Sequence, residues 1–525
     1  MKLGTALKSV EIISIDYPSL ERDLNTIEIQ KIAYHSNEVA PGTLFVCIRG
    51  YHMDGHAYAK TAVEQGASAL IVERYLTELE IPQIKVTDSR NALAVVADNF
   101  YDQPSKELRL FGVTGTNGKT TITYMTDALL SGYGLDTGLI GTVMIKSKDR
   151  IEKSVLTTPE SADLQKHLAN MRDEGVSHVS MEVSSSALDL KRVAQTHFDI
   201  VAFTNINHDH IDLHGSFESY FDAKASLIRE ASKESVALLN IDEPLLIPLM
   251  NQTKAQVVTF GIENTSGTVH LSDIDLSSGK PTFIFNLTQP LITLSGQQLD
   301  PISLKIDLLV PGYHSVYNAT TAILTALLND LPLAYVRSEI GKFKGVERRF
   351  HVLYDKEFTI IDDLLLNENN IDSSMKTVED LNYASFHIVH AIRGNNGQKL
   401  SLENAEAMAR WCHKLEIDKI ILTASHSHVK EKDRVLEEEL NTFLNVMEQA
   451  QIEVAFFEEL EEALVCGLKR MEHGDLFLIS GARGMDDGAK ICLELLMEMY
   501  PYVDQQAIRD LLKTKLVGIY SPVDS

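Results

Sequence analysis

Residues 111–121, FGVTGTNGKTT, set the frame for the whole chain: an apolar strand runs into a glycine-punctuated loop that ends in Lys-Thr-Thr at a predicted helix start. A loop of this kind holds nucleotide phosphates, because glycines let backbone N–H groups approach phosphate oxygens and the following helix begins with unsatisfied donors. Gly115 and Gly118 supply that approach, with Thr116 and Asn117 between them. Lys119 reaches the β- and γ-phosphates, and the Thr120 hydroxyl, with Thr121 beside it, is placed to ligate Mg²⁺. ATP is the expected nucleotide. One position departs from the pattern G-x-x-x-x-G-K-[ST]: Val113 stands where the first glycine belongs. A chance glycine-rich turn is therefore the competing reading, and the rest of the chain has to decide.

At 525 residues the chain has room for about three or four domains with sizeable cores. Its 48 Lys+Arg against 74 Asp+Glu give a net charge of −26, spread along the chain, which disfavours nucleic acid as a partner. No apolar run approaches the length needed to span a bilayer, and a soluble, cytoplasmic protein without membrane partners is expected. Cys47, Cys412, Cys466 and Cys492 are far apart and lack metal-ligand spacing, so reduced structural thiols are expected.

Up to residue 105, short apolar runs such as LFVCI (44–48) and SALIVE (68–73) alternate with helix-like stretches, an α/β pattern. From Leu108 the strands RLFGVTG, VSHVSMEV (176–183) and FDIVAFTNI (198–206) alternate with helical stretches, which predicts a parallel, doubly wound sheet. Residues 252–310, with VVTFGI and TFIFNL, read as an antiparallel extension of that sheet, ending the domain near 340. The remainder alternates strands such as TIIDDLLL, SFHIVHAI and DLFLIS with amphipathic helices, a third and Rossmann-like domain. The expected boundaries are 1–105, 106–342 and 343–525.

Ligands gather at the carboxyl ends of parallel strands, where Glu182 closes one strand and residues 205–210 follow another. Glu182 and His210 could join Thr120 around Mg²⁺; their bland readings are a capped loop acid and a hydrogen-bonded turn residue. The helix SFESYFDAKASLIREA (216–231) places Phe217, Tyr220, Phe221, Leu227 and Ile228 on one face, and Lys224 falls on that same face. An inward lysine must snorkel, find an acid, lose its proton or be chemically altered.

With these residues in view the chain resembles the Mur ligases, most closely the UDP-N-acetylmuramoyl-tripeptide synthetases (MurE type). The resemblance spans nearly the whole chain and rests on residues 41–73 together with TGTNGKTT, TTPESADLQ, MEVSSSALDLKRV, FTNINHDHIDLHGSFESYFDAKASL, PGYHSVYNATTAI and GVERRF. It implies a three-domain α/β architecture: an N-terminal UDP-substrate domain, a central P-loop ATPase-like domain with a parallel sheet, and a C-terminal Rossmann-like domain for the amino acid. It implies an ADP-forming ligase that activates a carboxylate as an acyl phosphate and joins it to an amine. It assigns Lys119 and Thr120 to the triphosphate and its Mg²⁺, Glu182 to further ligation, and His210 to a second Mg²⁺. Lys224 matches the lysine that this family carbamylates with CO₂, the carbamate supporting that metal. Asn318, Arg349 and Asp362 match residues that contact the nucleotide. Ser36 matches a serine that touches the uridine nucleotide, and Thr157, Thr158, Ser184 and Arg192 match residues that hold the sugar-peptide substrate. A monomer or weak dimer acting on small-molecule substrates is expected.

Departures from the family fall among the residues matched to the UDP-sugar-peptide donor, and larger ones where the amino acid is selected. His35 and Asn37 flank Ser36 in place of Asp and Arg, Leu190 replaces a common Gln, and Ser186 a common His. The Asp-Asn-Pro-Arg motif that selects meso-diaminopimelate becomes Ser425-His426-Ser427-His428, which removes the Arg that pairs with the distal carboxylate. The Gly-Lys-Gly-His-Glu motif becomes SGARGMDDG (480–488). An amino acid other than diaminopimelate is therefore expected. Arg483, Asp486 and Asp487 read either as a cluster for an α-amino acid with a cationic side chain or as a solvated turn. A Mur-type ligase with another carboxylate donor and a catalytically silent precursor-binding protein are the alternatives.

Overall fold

A computed structural model describes residues 1–17, 23–50, 53–207, 211–277 and 280–513. Its described residues fall into two compact units, one of Met1–His270, Leu287–Pro301 and Thr321–Leu333, the other of Leu271–Asn286, Ile302–Thr320 and the chain from Ala334 onward.

The first unit opens with a five-stranded sheet ordered Ile12–Asp16, Gln83–Val86, Ala67–Val72, Thr43–Val46, Lys31–Ala33; all pairs but the first are parallel. Helix Ser89–Phe100 packs its buried alanines, valines and leucine on this sheet and starts at Asp88, whose carboxylate accepts from the N–H groups of Arg90 and Asn91. The larger sheet that follows runs, strand by strand, through Gln256–Gly261, Val236–Asn240, Ile200–Phe203, Arg109–Thr114, His178–Glu182 and Thr137–Ile140, all parallel, and then Met144–Ser147 and Arg150–Lys153, antiparallel. Its central strands are buried along nearly their whole length, as expected of strands covered on both faces. Their carboxyl ends bring Thr114, Glu182 and Phe203 to one edge.

The expected antiparallel extension is corrected at its start. Gln256–Gly261 continues the parallel sheet, and Val269–Asp275 begins parallel to it, with Phe260 opposite Val269. The intervening residues, including the short helix Ile247–Asn251, return the chain to the same end of the sheet, so alternation within a strand did not reveal its direction. An antiparallel addition that sequence did not mark lies at the other edge, in the meander of residues 137–153, which carries no strong turn dipeptide.

The second unit holds a six-stranded sheet ordered His351–Asp355, Thr359–Asp363, Leu476–Gly481, Phe386–Ala391, Lys419–Thr423, Glu453–Phe457, parallel except for its first pair. Strand order reverses between Leu476–Gly481 and Phe386–Ala391, so the crevice at their carboxyl ends is the ligand position such sheets favour. Cys47, Cys412 and Cys492 are buried and Cys466 half-buried, all four unbridged; burial pushes the Cys47 and Cys412 thiols up to about 12.

Two histidines in this sheet are buried in neutral form. His390 stacks on Phe443 with 5.7 Å between ring centroids and shares a 3.1 Å hydrogen bond with Ser480, while His351 starts the edge strand. Burial lowers both to about 4. Between that value and the unfolded value of about 6.5 the unfolded chain binds more protons, so stability falls as pH drops through this window, by at most about 3 kcal/mol per histidine. Trp411, the only tryptophan, packs in this unit and reports its unfolding. Urea midpoints followed by Trp411 fluorescence should fall from pH 7.5 to pH 5, with a shallower fall in His390→Leu; equal slopes would exclude His390 as a source.

Candidate functional site

Strand Arg109–Thr114 delivers the loop of residues 115–118 to helix Lys119–Gly132. Gly118 stands before the helix at φ +85°, a conformation that side chains disfavour. Gly115 approaches the neighbouring strand so closely that a Cβ there would lie 2.7 Å from the Thr204 hydroxyl. Asn205 staples the loop from the side: its Oδ1 accepts from the Asn117 N–H at 2.9 Å and its Nδ2 donates to the Asn117 carbonyl at 3.0 Å. The Thr116 hydroxyl accepts from the Asn207 N–H at 2.9 Å and lies 3.1 Å from the Tyr220 hydroxyl. Thr121 sits in the helix's first turn beside Thr120. The loop is thus preformed, its N–H-rich turn at a helix N-terminus suited to phosphate.

Glu182, 1 % exposed, gathers the hydroxyls around the loop. Its Oε2 accepts from the Thr120 hydroxyl at 3.0 Å and the Thr142 hydroxyl at 3.1 Å; its Oε1 accepts from the Thr142 N–H at 2.8 Å. A carboxylate with hydroxyl oxygens is a hard-oxygen donor set that fits Mg²⁺. Among the described residues no three or more His, Cys, Asp or Glu side chains gather as a metal cage. His210 lies outside the described residues.

Lys224 is buried at 2 % exposure on helix Phe217–Arg229, among Tyr220, Leu227 and Ile228, and does not snorkel. Its ammonium donates to the Gly115 carbonyl at 2.8 Å and stands 4.9 Å from the Tyr220 ring centre. Lys119 donates to the same carbonyl, also at 2.8 Å, and to that of Thr116 at 3.1 Å. Two ammonium groups therefore share one acceptor.

From Glu182 the network continues to a cavity. The Thr158 hydroxyl donates to the Glu182 carbonyl at 2.8 Å and accepts from the Ser184 N–H at 3.1 Å; the Thr157 hydroxyl lies 3.1 Å from that of Thr142. Ser184 caps the short helix Ser185–Asp189. Arg192 donates to Glu160 at 2.9 Å and to the Thr158 carbonyl at 3.2 Å. Arg90 reaches the other oxygen of Glu160 at 3.0 Å, so one buried carboxylate is shared by two arginines. The cavity beyond, about 770 Å³, is lined by Ser36 with His35 and Asn37, by Arg90, Glu160 and Asp163, and by an apolar side that includes Met53 and Leu156. A sugar nucleotide is of the size such a cavity admits.

In the second unit the called residues separate. Asp362 is buried and paired with Arg348 at 2.7 Å; Arg349, half-buried, is absent from this pair. Arg348 also donates to the carbonyls of Gly481 and Ala482 and lies 3.7 Å from Asp486. Burial pushes Asp486 up to about 7 against the pull of Arg348 and Arg483. Arg483 is exposed, and Asn318 is buried in helix His314–Leu328. His428 donates from both ring nitrogens, to Asp487 and to Glu461, each at 3.0 Å. Burial opposes its charge, but these carboxylates prevail and raise its pKa.

Sequence reading missed Thr142, Arg90, Glu160 and Arg348. Glu160 stood inside the quoted TTPESADLQ and Arg348 inside GVERRF. Arg90 and Thr142 gave no local signal, since each meets a glutamate 40 or more positions away.

Three family models match in order: the Mur ligase family catalytic domain over residues 28–101, the Mur ligase middle domain over 113–326, and the Mur ligase glutamate ligase domain over 348–483. The fold and the phosphate-loop site define an ATP-dependent, ADP-forming ligase that joins an acid to an amino acid. The chain belongs to the Mur ligase family. It is 35 % identical over 460 residues, 86 % of this chain and 89 % of the relative, to the UDP-N-acetylmuramoyl-L-alanyl-D-glutamate–2,6-diaminopimelate ligase of Halalkalibacterium halodurans. A ligase of the same name from Listeria monocytogenes is 31 % identical over 494 residues, 93 % of this chain and 94 % of that one. Among solved structures, one of a ligase of that name aligns with TM-score 0.64 at 19 % identity, covering 92 % of this chain and 98 % of its own. The MurF ligase of Thermotoga maritima in complex with ADP aligns with TM-score 0.56 at 17 % identity, covering 93 % and 98 %. Both show the shared fold. Members of the family use ATP and Mg²⁺ and act on small molecules. No described helix is long and apolar enough to cross a membrane.

Gly115→Ala should push the loop off Thr204 and weaken ATP binding by about tenfold or more, a loss of roughly 1.4 kcal/mol, with the melting temperature little changed. Calorimetric titration with ATP checks this; unchanged affinity would mean that the loop does not cradle phosphate.

Proposed function

We propose that this protein is a MurE-like ligase of the cytoplasm that extends UDP-MurNAc-L-Ala-D-Glu by one amino acid other than meso-diaminopimelate. The observation that carries the reading is the meeting of the phosphate loop and the Thr157–Thr158 turn on the single residue Glu182. It sets the donor's carboxylate beside the γ-phosphate, where positioning replaces a chance encounter.

The donor carboxylate attacks the γ-phosphorus, ADP leaves, and an acyl phosphate forms. The amine nitrogen then attacks the acyl carbon, phosphate leaves, and the nitrogen loses a proton to give the amide. Lys119 opens away from the Gly115 and Thr116 carbonyls to meet phosphate oxygens, and the loop N–H groups hold the charge that moves onto ADP. Thr120 and Glu182 would hold Mg²⁺, with His210 assigned to a second ion by the family resemblance; the metal supplies neutralisation of phosphate charge. Ser36, Ser184 and Arg192 serve the donor, while Asn318, Arg349 and Asp362 serve the nucleotide.

Lys224 is assigned a carbamate. Its ammonium shares the Gly115 carbonyl with that of Lys119, so two like charges converge on one acceptor and disfavour each other. Converting one of them to an anion turns this repulsion into attraction. Lys224→Ala should lower turnover on the order of 10³-fold, with partial recovery in short carboxylates; full activity without them would refute the role.

For the amine, support comes from His428 held between Asp487 and Glu461, with Asp486 nearby in sequence on the same loop. Two carboxylates, Asp487 and Glu461, outnumber the one imidazole between them, a balance that favours a cationic side chain over a distal carboxylate. The relatives' own names specify diaminopimelate, so the amine is the open point that experiment decides. Incubation with ATP, Mg²⁺, bicarbonate, UDP-MurNAc-L-Ala-D-Glu and pooled amino acids including diaminopimelate should yield a conjugate heavier by a different, basic residue. A diaminopimelate conjugate would overturn the amine, and no conjugate from a folded, ATP-binding protein would overturn the donor. Asp486→Asn with Asp487→Asn should relax the amine preference; unchanged selectivity would remove the acidic loop from the account.

A further inference from the structure

Beyond the residues assigned above, Glu182 is held by one neighbour more completely than by any other. Thr142 follows strand Thr137–Ile140 on the turn that leads into Met144–Ser147. Its N–H donates to Oε1 of Glu182 at 2.8 Å and its hydroxyl to Oε2 at 3.1 Å, so a single residue addresses both carboxylate oxygens. The preceding residue must be glycine for the carboxylate to come so near: a Cβ on Gly141 would lie 2.5 Å from Oε1.

The hydroxyl network has a direction. A threonine hydroxyl carries one proton, and that of Thr142 goes to Glu182, which is acceptor-only when ionised. The 3.1 Å contact between the Thr142 and Thr157 hydroxyls is then donated by Thr157. The order is Thr157 to Thr142 to Glu182, with Thr120 donating to the same carboxylate from the phosphate loop at 3.0 Å. Three segments distant in sequence therefore meet on one side chain.

We propose that Thr142 is a positioning residue, which fixes the Glu182 carboxylate for a divalent cation through backbone and hydroxyl and ties it to Thr157. The proposal rests on the reading of Glu182 and Thr120 as cation ligands. If the carboxylate were held by Thr120 alone, it would lose that hydroxyl's proton contact whenever the Thr120 oxygen turned toward a cation. Thr142 keeps both oxygens oriented through that change. Partners that orient a metal-binding carboxylate typically contribute 10- to 100-fold to affinity.

The test measures cation binding without turnover, using Mn²⁺ as probe in the presence of ADP, with free Mn²⁺ followed by electron paramagnetic resonance. Thr142→Val keeps shape and the N–H contact and removes only the hydroxyl; Thr142→Ser keeps the hydroxyl. The expected result is a Mn²⁺ Kd raised about tenfold in Thr142→Val, near the original value in Thr142→Ser, with ADP affinity in metal-free buffer and melting temperature unchanged in both. Unchanged Mn²⁺ affinity in Thr142→Val overturns the role of Thr142 while leaving the ligand assignment intact. Failure of the unaltered protein with ADP to bind Mn²⁺ overturns the ligand assignment and the proposal with it. A Thr142→Ser variant as weak as Thr142→Val would assign the effect to packing and overturn the positioning role.

Discussion

A buried carboxylate has to be satisfied by hydrogen bonds, and the way Glu182 is satisfied organises everything around it. Its two oxygens accept from the phosphate-loop hydroxyl of Thr120 and from both donors of Thr142, and its own carbonyl accepts from Thr158. An unpaired charge at 1 % exposure would be costly enough to be unsustainable. The chain therefore brings three distant loops to the end of one strand. Because that strand lies between Arg109–Thr114 and Thr137–Ile140, the loops of residues 115–118 and 141–143 emerge from its two neighbours and need little extra length to arrive, while the Thr157–Thr158 segment returns from the edge strand Arg150–Lys153. On the proposed reading, phosphate chemistry and donor recognition share a wall through this one side chain.

The same economy explains the lysines. Lys119 and Lys224 meet at the Gly115 carbonyl from opposite sides of the loop, one from the helix it begins and one from the helix behind it. Two cationic side chains converge there on one backbone carbonyl beside the turn that begins helix Lys119–Gly132. In the second unit the balance is reversed: Asp362, Asp486 and Arg348 form a buried group of mixed charge. Beside it in sequence, Asp487 with Glu461 holds the His428 imidazole and favours its charged form. Under the proposed function the first unit receives phosphate and the second selects the amine.

Much of this was legible in the chain. Glycine spacing before Lys119 announced the loop, because only glycine takes the +85° φ found at Gly118 without strain. Helical spacing announced that Lys224 points inward, and it does. What stayed hidden depended on geometry between remote segments. Arg348 and not its neighbour Arg349 pairs with Asp362 because Arg348 adopts a positive φ of 60°, which no residue type at that position signals. Thr142 looked like any turn threonine. The direction of Gln256–Gly261 was misread because alternation records which faces are buried and is blind to which way a neighbour runs.

The central claim is that a donor carboxylate is activated by direct phosphoryl transfer, and oxygen tracing tests it most directly. UDP-MurNAc-L-Ala-D-Glu carrying ¹⁸O in the reacting carboxylate is turned over with ATP and the accepted amino acid, and the released phosphate is analysed by mass. Attack of the carboxylate on the γ-phosphorus places one labelled oxygen in each phosphate, since the bridging oxygen departs with it when the amine takes the acyl carbon. Phosphate free of label, with amide still formed, would mean that the carboxylate never bonded to phosphorus.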